Sequence, residues 1–566
     1  MRIEWLGLVA VAVLSASCGD DGPPNPPPPA PKFHVGGTIT GLSGSLTLQL
    51  NGEESLTRTA NGAFTFETEI EDEKTYTVAL TATPTEQDCT LQGATGQVSG
   101  ADVTSVQVNC VQKTYTLGGT VTGLDGTIQL RIEGGETLSL TANGPFTFQT
   151  RLPAGGTYAV SVVAQPRGYR CTVANGSGTV SGNVTGITAQ CSPWFTLTNF
   201  QNATTVIGQS NFTNALANQG GAPNASTLDG PWGNPVFAGG KLYISDLLSN
   251  RILGFNSLPT QNGASANFVL GQPNFTSGSA RTSRAGLSGP QGLSSDGTRL
   301  AVADKGNNRV LLYNTLPSST ATAPDLVVGQ PNFDTMDVAC TASSLLIPEA
   351  VSLGQGKLVV ADSANHRVLI WNSLPTVNGK AADLVLGQSS FTSCVGNDAN
   401  RDGITDSAPS AATLFYPAGI WTDGTRLLVA DTDNHRVLIW NQFPTTNGQA
   451  ADVVLGQPGF TTRTTALTAA GMNRPYTLNS TGQQIFVAEQ QNNRVTVWDQ
   501  FPTSHGQAAG RVLGQPDFTS RNRGDPASGS TPSARSLYQP SGVLLAPPFV
   551  VVSDYGNNRV LVFESQ

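Results

Sequence analysis

Beyond residue 200 the chain is written in short apolar runs separated by polar turns. The clearest instance is Val429–Trp440, which reads Val-Ala-Asp-Thr-Asp-Asn-His-Arg-Val-Leu-Ile-Trp. An apolar run leads into a tight polar turn and a second apolar run follows. The same layout returns at Ile244–Phe255, Val302–Tyr313, Val360–Trp371, Val487–Trp498 and Val552–Phe563. Each copy predicts strand, turn, strand, and nothing in the region shows helical spacing. A recurring unit is weighed first, because it decides the fold.

The Arg residues of the six copies stand at 251, 309, 367, 436, 494 and 559, at intervals of 58 to 69. A second phrase travels with them. It is Val-Ile-Gly-Gln-Ser-Asn-Phe at 206–212 and Val-Leu-Gly-Gln-Pro-Asn-Phe at 269–275, with relatives starting at Val328, Leu386, Leu455 and Leu513. A third apolar run follows a proline, as in Pro417-Ala-Gly-Ile-Trp. One unit therefore holds four short strands. Six such units predict a six-bladed β-propeller over residues 194–566. The last unit ends on its third strand, while Thr205–Gln209 opens the region as an unpaired fourth strand. That segment is expected to complete the last blade and so remove a free sheet edge.

Each turn carries an acid, an Asn and an Arg. The sets are Asp246, Asn250 and Arg251; Asp304, Asn308 and Arg309; Asp362, Asn365 and Arg367; Asp431, Asn434 and Arg436; Glu489, Asn493 and Arg494; Asp554, Asn558 and Arg559. Read with the preceding Pro417…Gly419-Ile420…Asp423-Gly424, this pattern resembles the NHL repeat over residues 205–566. The first copy departs at Ser245–Arg251 and the fifth has Glu489, yet both keep the acid and the Arg. The resemblance implies a propeller. The chemistry implies a structural latch between neighbouring strands. Asn tolerates the positive φ of a tight turn, and Arg can take the carboxylate bidentately. Catalytic groups are not needed in six copies.

Upstream lie two copies of a different unit, 33–112 and 113–193. Val35-Gly-Gly-Thr-Ile-Thr-Gly-Leu matches Leu117-Gly-Gly-Thr-Val-Thr-Gly-Leu, and Thr59–Phe66 matches Thr141–Phe148. Apolar residues alternate with Thr and Ser between Asn-Gly and Gly-Gly turns. The expectation is a pair of small antiparallel sandwiches, Ig-like in the broad sense, serving as a stalk. The whole chain is thus all-β.

Composition agrees: Gly and Pro abound and only 12% of residues are charged. The net charge of −9 comes with no basic cluster, so no nucleic-acid partner is expected. Residues 1–17 resemble an export signal, and Leu14-Ser-Ala-Ser-Cys18 resembles a bacterial lipoprotein box with Cys18 as the acylated residue. The Leu lies one place further from the Cys than usual. Residues 18–32 are a Pro-rich tether, which stays extended. The expected location is the bacterial cell envelope, with the membrane met through a lipid anchor only and the protein a monomer.

In an exported chain, Cys pairs at matched spacing read as disulfides. Cys89 with Cys110 and Cys171 with Cys191 close the two sandwiches. Cys340 and Cys394 remain. Both follow a Gly-Gln phrase, in loops leading to consecutive blades, and are expected to bridge. Just beyond Cys394, Asp398-Ala-Asn400-Arg-Asp402-Gly-Ile404-Thr-Asp406 has the spacing of a calcium loop. It resembles EF-hand-like loops, with Ile404 offering its carbonyl, but lacks the Glu at position 12, where Pro409 stands. Calcium is the expected cofactor, bracing an insertion.

Some six-bladed propellers related by this resemblance are lactonases or lyases with a metal in the channel. Here His366 and His435 sit in the latch turns, His34 lies in the first sandwich and His505 in a loop on the opposite face. A three-His centre is not expected, and no Gly-x-Ser-x-Gly or His-Glu-x-x-His occurs. Glu349 after Pro348 and Asn234 before Pro235 are read as capping or turn residues. The favoured function is a binding scaffold for a protein or polysaccharide at the cell surface; the alternative is a metal-dependent hydrolase or lyase, lactonase-like, working in the channel.

Overall fold

The computed structural model describes residues 28–566. The export signal at 1–17, Cys18 and the start of the tether lie outside the described residues. Regular structure is almost wholly strand. Among the described residues, no helix is long and apolar enough to cross a membrane.

The first upstream domain stacks two four-stranded sheets. One holds Val35–Thr40, Gly62–Thr65, Gln87–Gln92 and Val103–Gln112; the other holds Leu46–Leu50, Glu54–Arg58, Thr75–Ala82 and Thr95–Gln97. Alternation decides what is buried. Leu46, Leu48 and Leu50 point into the core with Phe64, Phe66 and Val106, while Thr47 and Gln49 are only half-buried. The second domain repeats this arrangement from Leu117 to Pro193.

One feature corrects the expectation of wholly antiparallel sheets, and a second places the disulfides. The first and last long strands of each domain run parallel, Val35–Thr40 beside Val103–Gln112 and Leu117–Thr122 beside Val184–Pro193. The rest of the domain supplies the long crossover that a parallel pair requires. Gly37 permits the approach, since a Cβ there would lie 1.7 Å from the Val106 carbonyl oxygen. The disulfides Cys89–Cys110 and Cys171–Cys191 then join residues directly opposed on adjacent strands of one sheet, not one sheet to the other.

From Thr205 onward the chain builds six four-stranded antiparallel sheets. The first runs from Val236 to Leu270, the second from Pro290 to Val328, the third from Pro348 to Leu386, the fourth from Pro417 to Leu455 and the fifth from Pro475 to Leu513. The sixth joins Pro540–Ala546, Phe549–Asp554 and Arg559–Glu564 to Thr205–Ile207. Thr205 faces Val562 and Ile207 faces Val560, so the ends of the region share one sheet as the sequence led one to expect. Each inner strand touches the next, and Pro540–Ala546 returns to Val236–Ala238. This cyclic order is a β-propeller arrangement.

The core lies between sheets. Leu358, Val360 and Trp371 of the third sheet pack on Ala301, Ala303 and Val310 of the second. Corresponding layers lie between the other pairs, including the sixth and first. Strands buried on both faces explain the unbroken apolar runs of the sequence. Fully burying each Val, Leu or Ile contributes about 1.5–3 kcal/mol.

The second upstream domain docks on the turns between inner and second strands. Gln483 Nε2 donates to Ser192 Oγ at 3.0 Å, and Arg167 pairs with Glu564 at 2.9 Å. The Gln484 side chain bonds both the N–H and the carbonyl of Phe195. The long Gly-Gln loops and the latch turns lie on the other face.

Candidate functional site

In every sheet the latch acid and its Arg are directly opposed across the tight turn. Both side chains are fully buried in all six pairs. In the fourth sheet Arg436 Nε meets Asp431 Oδ2 at 2.7 Å. Its Nη1 donates to the Phe460 carbonyl of the following Gly-Gln loop, and its Nη2 to the Ser410 and Thr413 carbonyls of the loop before. One guanidinium thus ties two strands to two loops. Burial pushes the Asp431 carboxyl up, and the facing Arg436 charge pulls it back down.

The expected bidentate fork is absent from the five Asp copies. Asp431 Oδ1 is already taken by the Phe415 N–H at 2.7 Å, and Oδ2 is shared with Asn434. Only the longer Glu489 takes Arg494 through both oxygens, at 3.0 and 3.1 Å.

The single Asn role read from sequence divides into two. Asn307, Asn365, Asn434, Asn492 and Asn557, two places before the Arg, donate to the latch acid. Asn250, Asn308, Asn493 and Asn558, one place before the Arg, do not bond the acid. They adopt left-handed backbone and accept an N–H from the next sheet's inner segment, as Asn308 does from Ile347 at 3.0 Å. His366 and His435 do the same through Nδ1, at 3.1 Å from Tyr416 and 3.2 Å from Arg474. Burial, followed by the charges of Arg474 and Arg463, holds His435 down at about 4. Adjacent Asn residues made the two roles inseparable by eye.

A recurrent residue missed by the reading is the Gln of the Gly-Gln phrase. Gln209, Gln272, Gln330, Gln388, Gln457 and Gln515 each donate to the carbonyl one place before a latch Arg. Its sixfold recurrence was the available signal.

At the ring axis five of the inner strands open with Pro and then a bulge, which turns the next residue inward, and in the first sheet Trp232 follows Pro231 just ahead of the strand Val236–Ala238. Those residues are Trp232, Gln291, Glu349, Ala418, Tyr476 and Ser541. The position after them is mostly Gly, because neighbouring backbones nearly touch; a Cβ on Gly542 would lie 1.8 Å from the Gly233 carbonyl oxygen. Glu349 is neither cap nor turn. It is buried, and accepts from Lys305 Nζ at 2.8 Å, from Tyr416 Oη at 3.1 Å and from Tyr476 Oη. These partners belong to the second, fourth and fifth sheets and Glu349 to the third, so the carboxylate cross-links the axis. Burial and then the Glu349 charge push the Tyr416 and Tyr476 phenols up. Trp232 packs edge-on to Tyr476 and Tyr555, with centroids 4.9 and 4.3 Å away. Asn234 accepts from Val543 N–H at 2.8 Å and donates to the Leu478 carbonyl at 3.0 Å, tying the segment ahead of the first inner strand to the inner strands of the fifth and sixth sheets.

Beyond this plug the axis opens into a cavity of about 500 Å³. Its walls are uncharged, and it ends among the turns on the sandwich-bearing face.

Cys340 and Cys394 are bonded, linking the loops that precede the third and fourth sheets. Beside them, Asp398, Asn400, Asp402 and Asp406 share one exposed loop. Their oxygens accept from loop N–H groups: Asp398 from Asp402 and Gly403, Asp402 from Ile404, Asp406 from Ala399. Asn400 also donates to Asp402 at 3.1 Å. Among the described residues no three His, Cys, Asp or Glu side chains converge as a metal-binding group.

Three disulfides among the described residues fit an oxidising compartment outside the cytoplasm. No family model matches the chain, and no curated protein matches it. Among solved structures, Kuenenia stuttgartiensis hydrazine synthase is similar over 60% of this chain and 96% of its own, at 12% identity and TM-score 0.33. Virginiamycin B lyase from Staphylococcus aureus is similar over 60% and 97%, at 12% identity and TM-score 0.30. A nidogen/laminin complex is similar over 51% and 84%, at 16% identity and TM-score 0.26. Likenesses this loose say nothing of what the chain does.

Proposed function

We propose that this chain is an exported, lipid-anchored binding scaffold. In this reading the six sheets are the blades of a six-bladed NHL-type propeller. Cys18 carries the anchor, the Pro-rich tether and two Ig-like sandwiches form a stalk, and the stalk holds the ring at the cell surface. The partner is a protein, bound on the face carrying the long loops.

One observation carries the reading. Leu216, Leu248, Met336, Val338 and Ile404, each more than half exposed, all belong to the loops and latch turns of that face. On the opposite face of the ring only Val377 is more than half exposed among the large apolar side chains, and this imbalance suits a protein interface on the loop face better than a polysaccharide. Charge supports it: Asp334, Asp337, Asp398, Asp402 and Asp406 precede the third and fourth sheets, whereas Arg463, Arg521 and Arg523 precede the fifth and sixth. Such a face favours a partner of complementary polarity. Calcium in the 398–406 loop would hold Ile404 outward.

The lactonase-like alternative needs several ligands on the axis. The inward residues offer one carboxylate, Glu349, already shared by Lys305, Tyr416 and Tyr476. A metal does not fit there.

The test is cross-linking on intact cells, with a photoreactive residue at Met336 or Val338 and a control at Thr445 on the opposite face. A discrete protein adduct from the loop face and none from Thr445 is the expected result. Equal labelling from both sites, or none, would sink the scaffold reading.

A further inference from the structure

The charges on the loop face are sorted by position around the ring. The loops before the third and fourth sheets, 329–347 and 387–416, hold five Asp and one Arg. The loops before the fifth and sixth, 456–474 and 514–539, hold five Arg and two Asp. Two of those Arg are neutralised within the chain: Arg474 lies 3.2 Å from Asp433, and Arg535 lies 2.7 Å from Asp525. Arg463, Arg521 and Arg523 are exposed and form no ion pair among the described residues, and neither do the five Asp. Arg463 and Arg523 rest over the rings of Phe415 and Tyr538, at 5.4 and 4.9 Å, which fixes their place on the face.

The sheets follow one another around the ring in chain order, so the loops, numbered here by the sheet each precedes, stand about one-sixth of a turn apart. Half a turn about a line lying in the face, midway between the fourth and fifth loops, exchanges the fourth loop with the fifth and the third with the sixth. Acidic loops thereby fall on basic ones. The first and second loops exchange as well, and there Asp229 is set against Arg281 and Arg284, again of opposite sense. The apolar groups follow the same exchange. Met336 and Val338 of the third loop meet the sixth, where Pro526 and Ala527 are exposed, and Leu216 of the first meets the second. A face with this property is self-complementary, which is what a closed two-fold contact requires. The face is also free, because the second upstream domain occupies the other side of the ring.

Resting on the reading of the loop face as a protein-binding surface, we propose that its partner is a second copy of this chain, held ring to ring in a two-fold contact. The third and fourth loops of each copy lie on the sixth and fifth loops of the other. Every attraction therefore occurs twice. Exposed ion pairs alone contribute little, but pairs enclosed among apolar contacts fix the register and reject arrangements that set like charges together. The protein is then a dimer where the sequence suggested a monomer. The stalks leave from the two outer sides, so the contact joins copies carried on separate surfaces.

Sedimentation velocity on the purified mature chain tests this with a charge exchange. One variant is Asp334→Arg/Asp337→Arg and the other is Arg521→Asp/Arg523→Asp. All four side chains are exposed and none forms an ion pair within the chain, and Asp334 and Asp337 lie outside the calcium loop. The parent should sediment as a dimer, and added salt should weaken it. Each variant alone sets like charges together at both contacts and should associate at least about tenfold more weakly. An equal mixture of the two restores opposite charges at both contacts and should recover the dimer. An unchanged melting transition in each variant separates loss of contact from loss of fold. A parent that stays monomeric up to about 0.1 mM overturns the proposal. So do variants that associate as the parent does, or a mixture that stays monomeric. A monomeric parent whose Met336 cross-link on cells captures a different protein overturns this proposal and leaves the protein-binding reading standing; no adduct at all removes both.

Discussion

Gln209 Nε2 donates to the Asn558 carbonyl at 2.9 Å, across 349 residues of chain. The same bond recurs locally in the other five sheets, over 22 residues each. In the sixth it joins the two ends of the ring. Phe212 strengthens the junction, because its carbonyl accepts from Arg559.

Closure should therefore govern the stability of the ring. A chain starting at residue 213 lacks the strand Thr205–Ile207 together with Gln209 and Phe212; a chain starting at 194 keeps them. The shorter piece is expected to melt at a clearly lower temperature in calorimetry, with an exposed edge on Arg559–Glu564. Matching transitions would show that the first strand is dispensable.

Arg436→Lys keeps the charge but loses the fork. Lys cannot reach Phe460, Ser410, Thr413 and Asp431 together. Those acceptors are buried, so the loss is expected at about 3–5 kcal/mol, read from the shift in urea midpoint at unchanged slope. A change below about 1 kcal/mol would mean the ion pair behaves as if exposed.

Acid should open two of the six inter-sheet clips. His435 accepts an N–H as neutral imidazole, and its folded value of about 4 lies below the ordinary 6.5. His366 is lowered in the same sense by burial. A group lowered on folding takes up its proton first in the unfolded chain. Its contribution is thus complete above pH 6.5 and is lost as pH falls toward about 4. The double variant His366→Asn/His435→Asn copies the clips of the other sheets. Its melting temperature should fall less than the parent's between pH 6.5 and 4; parallel curves would remove the histidines from the explanation.

Calcium, if held at 398–406, should copurify. Metal analysis of the parent is expected to give one calcium per chain, and of Asp398→Ala/Asp402→Ala none. Metal that survives the double change would belong elsewhere, and its absence from the parent would end the calcium reading.

Elements that depend on near neighbours can be read directly from the chain. Asp431 and Arg436 lie five residues apart across one tight turn, so any chain repeating that spacing between apolar runs folds the same hairpin. Counting the hairpins gave the number of sheets, and the leftover strand at Thr205 gave the closure. The axis is set by the folded ring alone. Trp232, Gln291, Glu349 and Tyr476 come from four sheets, about 60 residues apart from one sheet to the next where the sheets are consecutive. Gln291, Glu349 and Tyr476 are each re-aimed by a bulge that leaves no mark in the apolar pattern. The same holds for the clips: whether an Asn bonds its own acid or the next sheet depends on a left-handed residue and on where that next sheet stands. Local chemistry is set by spacing along the chain, whereas convergence on an axis is set by ring closure.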